Sequence, residues 1–320
     1  MSNSRVSLTI TERQSREIEA YCRIAKENGA LISLRELIGL ASIDASEEEF
    51  GSAFLLNPAL MSKFILESGY VLERASGLEE AAQKAVIEED RSKARARGNL
   101  KVARAFGRFL TKGTLLVSVS GANSYLSARE NEDIDFFCVT KTDGLWPFLL
   151  KGLLLARIYR LANREVPELC FSCEMDEKWA EEAFKVRQEP IFARDALTAK
   201  LIKGRDALHR LLQEAQWMRG YFPAFYAMRM HETDSGSGDG AEEKKDESRP
   251  GSALLNSFLY HTLGSFLIIK SWALNRRITK DGQRSSIFAA RINKSCCIYE
   301  SNRYRNLRTM YGDFDEAPPR

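Results

Sequence analysis

The chain has 320 residues, 44% hydrophobic and 28% charged, which is enough apolar material for two or three compact units. Lys and Arg number 47 against 44 Asp and Glu, a formal net charge of +3, so bulk charge makes no case for a nucleic-acid or acidic partner. Six cysteines without a framework spacing argue against a disulfide scaffold and read as buried thiols of a reducing cytosol. Residues 1–10 lack the apolar core and cleavage pattern of a secretory signal, so the expected location is cytoplasmic.

In chain order, residues 8–28 place Leu8, Ile10, Ile18, Tyr21, Cys22 and Ile24 along a helix that Thr11 caps and Gly29 stops. Ser33 with Glu36 forms a capping-box pair for a second helix. Asn57-Pro58 and Ser68-Gly69 then cut residues 54–72 into short pieces. Two or three helices and a ribbon within residues 1–90 resemble a winged-helix unit, yet no Arg/Lys cluster marks a recognition helix, and a small helical packing module is the plainer reading. Residues 79–112 predict one long helix, with Gly98-Asn99 as the place for a break. Its stripe of Arg97, Lys101, Arg104 and Arg108 could aim at phosphates; a solvated face is the simpler account.

Residues 114–119 and 133–140 are β-rich runs, and 145–160 predict a buried helix too short and too charge-flanked to span a bilayer. After Pro167, residues 168–175 predict a third strand, and Asp176 can cap a helix over 177–185. Residues 191–226 read as helical. The segment 232–252 has no large apolar residue and predicts a flexible, disordered loop. Residues 254–274 turn apolar again, but His261 and Lys270 would be costly in lipid; a core helix is expected, and no membrane partner. The tail from Arg276 is basic.

Residues 118–140 are the stretch suited to chemistry. An apolar run ends at a turn on Gly121, and a second begins at Ile134 with Asp133 and Asp135 separated by one residue. On a strand these two carboxylates share a face, where their repulsion is relieved by a divalent cation that prefers oxygen, Mg²⁺ or Mn²⁺.

The order helix, strand, glycine turn, strand with Asp133-Ile134-Asp135-Phe136, helix, strand resembles the DNA polymerase β-like nucleotidyltransferase superfamily. It is similar in particular to a subgroup with a helical or winged N-terminal unit and a Leu-Trp helix after the metal strand. The resemblance implies an α+β protein with a small mixed sheet covered by helices, in three units: 1–90 helical or winged, 91–190 nucleotidyltransferase-like, and 191–320 helical. It also implies transfer of a nucleoside monophosphate from a nucleoside triphosphate to an acceptor hydroxyl on a small molecule, protein or nucleic acid. Gly121, Ala122, Asn123 and Ser124 would bind the nucleotide phosphates, and Asp133 and Asp135 would be catalytic metal ligands. Family members carry Ser or Gly after the motif glycine, where this chain has Ala122; Asn123 or Ser124 could substitute. A third carboxylate is expected on the strand 168–175. Ser172 occupies the expected position, Glu174 follows on the same face under regular alternation, and Asp176 is the second choice. Arg108 and Lys112, nearest in sequence to the first strand, are candidates to meet the triphosphate. The alternative is an inactive transferase fold that binds a nucleotide or regulates a partner.

Other constellations carry less. Cys170 and Cys173 have the spacing of a metal pair, but residues three apart on a regular strand face opposite sides. His209, His231 and His261 lack a nucleophile partner and read as structural.

Overall fold

The computed structural model describes residues 8–27, 30–74, 78–234, 252–280 and 288–312. Of the expected loop over 232–252, the first residues belong to a helix that ends at Asp234, and 235–251 lie outside the described residues.

The N-terminal elements follow their caps. The Thr11 hydroxyl accepts from the Gln14 amide at 3.2 Å and starts α1, Glu12–Glu27. After β1, Ile32–Ser33, a full Ser33/Glu36 capping box opens α2, Leu34–Leu40, and a second one, Ser46/Glu49, opens α3, Glu47–Leu55. Asn57 caps α4, Pro58–Lys63, with the proline at the helix start, where its missing N–H costs nothing. β2, Phe64–Glu67, and β3, Tyr70–Glu73, form a hairpin, and β1 completes a small antiparallel sheet in the order β1-β3-β2.

The helix α5, Leu78–Gly107, runs unbroken through Gly98. Ala96, Leu100, Ala103 and Phe106 are its buried side, while Arg97, Lys101, Arg104 and Arg108 are exposed, the solvated face expected of them.

The second sheet has six strands in the order β7-β4-β5-β6-β9-β8. They are β4, Thr114–Val119; β5, Ile134–Thr140; β6, Leu169–Asp176; β7, Lys200–Lys203; β8, Phe288–Ile292; and β9, Cys296–Ser301. β5 and β6 are parallel, and the other pairs are antiparallel. The short helix α6, Gly121–Ser124, follows β4, and α7, Leu145–Ala162, is the crossover from β5 to β6.

One sheet face, with Leu116, Phe137, Val139 and Met175, packs in a single apolar cluster with the N-terminal helices and with α8, Glu177–Val186, α9, Pro190–Thr198, α10, Arg205–Glu214, and α11, Met218–Tyr221; α12, Pro223–Asp234, packs against it. The other face, with Val117, Phe136, Cys138 and Cys297, is covered by α5, α7 and a helix of three parts. These parts are α13, Ala253–Leu259, a π turn at Tyr260–Gly264, and α14, Ser265–Lys280. A last helix, α15, Asn302–Gly312, follows β9.

The mixed sheet covered by helices is as expected, but the C-terminal unit is not purely helical: it supplies β7, β8 and β9, half of the six strands. β7 is four residues long, and β8 and β9 lie in what reads as a basic tail; β7 and β9 take their strand form from the distant β4 and β6, and β8 pairs with β9. Residues 254–274 also differ from a core helix, because the side turned away from the sheet is exposed. No helix among the described residues is long and apolar enough to cross a membrane.

Candidate functional site

Gly121 and Asp135 meet where β4 ends beside the start of β5. The Ser120 amide donates to the Asp135 carbonyl at 3.0 Å, which draws the turn against the strand. Gly121 has φ +66°, and a Cβ there would lie 2.9 Å from Oδ2 of Asp135, so conformation and space both require glycine. Asn123 and Ser124, buried in α6, hold this turn in place. The Asn123 side-chain amide donates to the Asp133 carbonyl at 2.7 Å and its oxygen accepts from Asn99 on α5 at 2.9 Å; the Ser124 hydroxyl donates to the Gly121 carbonyl at 2.8 Å. Both side chains are therefore engaged inward and do not supply the contact absent at Ala122.

Asp133, Asp135 and Cys170 bring ligand atoms within 4.8 Å of one another, all three partly buried. Burial first, then the Asp133 charge, pushes the Asp135 carboxyl up to about 7, opposed by hydrogen bonds from Ser172 and Cys170. Asp133 is raised in the same direction, by burial and then by Glu132. The Cys170 thiol is pushed well above its ordinary range by burial and the two aspartates, so it stays protonated.

The third acid expected on β6 is not brought to this pair. Phe136 pairs with Phe171 and Phe137 with Cys173, so Ser172 is an extra residue, a bulge. Before it, Cys170 stands beside Asp135. After it, the alternation is reversed: Cys173 joins Phe137 on the aspartate side, and Glu174 aligns with Cys138 on the opposite face. Glu174 is fully buried there, and neither carboxylate oxygen has a hydrogen-bond partner among the described residues. Asp176 sits at the far end of β6, opposite Thr140, and its carboxylate caps α8 through the Trp179 amide at 3.0 Å. The same bulge corrects the reading of the Cys170 and Cys173 pair: they share a face, though Cys173 is outside the ligand cluster. Arg108 and Lys112 lie before the start of β4, at the end opposite Gly121, and both are exposed. His209 is tied to Thr233 and Gln213 at 2.8 and 3.0 Å, a structural role.

The aspartates open into a cavity of about 690 Å³ whose lining includes Ser120, Gly121, Ala122, Cys170 and Ser172. The cavity also brings in residues the sequence did not single out. Tyr125, just after α6, donates its hydroxyl to Asp195 on α9. Burial pushes the Asp195 carboxyl up to about 7. Arg194 lies over the Tyr125 ring, 4.4 Å from its centre, and Lys270 of α14 adds another cation to the wall. Arg187 also lines it but is held by Glu189 and Glu300 at 2.9 and 2.7 Å. No local pattern marks Asp195; its contact with Tyr125 spans 70 positions.

Compared with protein-family models, curated proteins and solved structures, the chain matches none.

Proposed function

We propose that this protein transfers a nucleoside monophosphate from a nucleoside triphosphate to an acceptor hydroxyl, with a fold of the DNA polymerase β-like type. The observation that carries the reading is Gly121 at positive φ, its backbone against the Asp135 carboxylate at the wall of a 690 Å³ cavity. A strand, a glycine turn and a paired-aspartate strand in that contact suit a phosphate chain lying along the turn.

The donor set fits a divalent cation. Asp133 and Asp135 offer oxygen atoms within 4.8 Å and have no ion pair among the described residues, while burial and mutual repulsion disfavour ionising both. Two carboxylates against one thiol favour an oxygen-preferring ion such as Mg²⁺ or Mn²⁺. When bound, the cation supplies positive charge to the triphosphate oxygens and the reacting centre. Arg194 adds charge for the phosphate tail from another part of the wall.

Asp195 is assigned as the proton acceptor, in place of Glu174 and Asp176. A carboxyl raised to about 7 is matched to neutral pH, and the Tyr125 hydroxyl fixes its orientation. The acceptor oxygen attacks the α-phosphorus, its proton passes to Asp195, and pyrophosphate leaves.

A second reading, a binding module without transfer, is favoured by Ser172 standing where a third carboxylate is expected on β6. Incubation with α-labelled nucleoside triphosphates and Mg²⁺ separates the two. Label transferred to an acceptor by the parent, and lost in Asp133→Ala with Asp135→Ala, supports the enzyme. Retained nucleotide binding with no transfer to any class of acceptor supports the module, and labelling that survives in the double variant sinks the assigned site.

A further inference from the structure

We propose that the outer face of α13 and α14 is a docking surface for an anionic lipid bilayer, on which the protein lies without crossing it. The inner side of this helix is firmly seated. Buried Asn256 accepts from the Trp146 amide at 2.9 Å and donates to the Lys294 carbonyl at 3.1 Å, and Gly264 packs on the Trp146 ring. Leu259, Leu263 and Leu267 continue the inward stripe into the core beneath the sheet.

The outer side is equally apolar and uncovered. Phe258, Ile269 and Trp272 are 63%, 65% and 63% exposed, and Leu254 and Phe266 extend the same row. A helix apolar on all sides is normally buried on all sides, and an exposed face of this size marks an interaction surface. Outside the described residues the sequence holds only Met1, Val6, Ile287 and Phe314 as large apolar residues.

Charge identifies the occupant. Residues 252–280 contain no Asp or Glu, while Lys270 and Arg276 are exposed on α14. The crossover helix α7, which packs beside α13, also has no acidic residue, and its Leu154, Ile158 and Leu161 are exposed. A two-fold contact between copies of this face would set these cations against their own kind with no carboxylate on the face to pair. An anionic bilayer neutralises them, takes the apolar row below its headgroups and holds Trp272 at the interface.

The test uses the full chain with vesicles of phosphatidylcholine alone and of phosphatidylcholine with roughly a third phosphatidylglycerol. The parent is expected to co-sediment with the anionic vesicles and stay in solution with the neutral ones. Phe258→Glu with Ile269→Glu, checked for native circular dichroism, should lower the partition coefficient by about a hundredfold. Lys270→Glu with Arg276→Glu should lower it by about tenfold or more and remove most of its salt dependence. The Trp272 emission should shift to the blue on binding, read against Trp272→Phe. A parent that stays in solution with both vesicles, or binds both equally, overturns the proposal. A concentration-dependent dimer abolished by Phe258→Glu with Ile269→Glu, without vesicle binding, would assign the face to a second copy instead.

Discussion

Asp135 and Glu174 stand on adjacent parallel strands, and they differ by the face of the sheet they occupy. Asp135 is raised to about 7, accepts hydrogen bonds from Ser172 and Cys170, and borders a cavity. Glu174 is raised well above its ordinary value and is fully buried between the Cys138 and Cys297 rows without a hydrogen-bond partner among the described residues. Burial elevates both, and the Asp135 charge adds to the rise at Glu174, but only Asp135 has a glycine turn and open space beside it. A raised carboxyl is therefore no sign of chemistry by itself; its surroundings decide.

The sharpest way to break this contrast is to remove each acid. Asp133→Ala and Asp135→Ala should each lower nucleotide transfer by about a thousandfold, the several kcal/mol expected for losing a ligand to a catalytic cation. Glu174→Gln should leave the rate within about threefold, since it faces away from the cavity. Initial rates with labelled triphosphate measure both. A large loss in the Glu174 variant with none in the aspartate variants would reverse the assignment of faces.

Gly121→Ala probes the same face through shape. The new Cβ would meet the Asp135 carboxylate at 2.9 Å and sit at φ +66°. A rate loss of about a hundredfold is expected from displacing the carboxylate by a fraction of an ångström or more. The left-handed conformation adds a stability cost of about 1–2 kcal/mol, measurable by urea unfolding. A variant as active as the parent would detach the turn from the chemistry.

Much of this arrangement was legible in local pattern. Ser33 with Glu36, Asp176 ahead of α8, and the β5 alternation that puts Asp133 and Asp135 on one side all depend on neighbours a few residues away, which a sequence displays directly. The bulge at Ser172 was not legible. No glycine or proline marks it, and one extra residue reverses every later side chain on β6, so the alternation that pointed to Glu174 gave the wrong face. Asp195 and the strands β7 and β9 were hidden for a related reason: their partners are distant in sequence, and only pairing across the chain defines them.

Asp195 extends the comparison across the cavity, since it too is buried and raised to about 7, with Tyr125 as its donor. Asp195→Asn should lower transfer by about a hundredfold and remove the rise in rate as pH passes 7. Stability should respond in the opposite sense. Between 3.8 and about 7 the folded state holds a proton that the unfolded chain has released, so folding weakens as pH rises through that window. The variant should show a smaller fall in Tm from pH 5 to pH 8 than the parent. An unchanged rate profile would demote Asp195 to a structural partner of Tyr125.

The smallest effect should come from giving Glu174 the apolar surroundings it already has. Two buried oxygens without partners are a standing cost, and a thioether of similar length fills the space with no polar atom to satisfy. Glu174→Met should therefore raise the unfolding free energy by about 1–2 kcal/mol, while Glu174→Gln, which keeps polar atoms in the same place, should gain little. Activity in both should stay near that of the parent. Destabilisation by the methionine would mean that Glu174 has a partner in solution, and the contrast between the two faces would then need that partner to be identified.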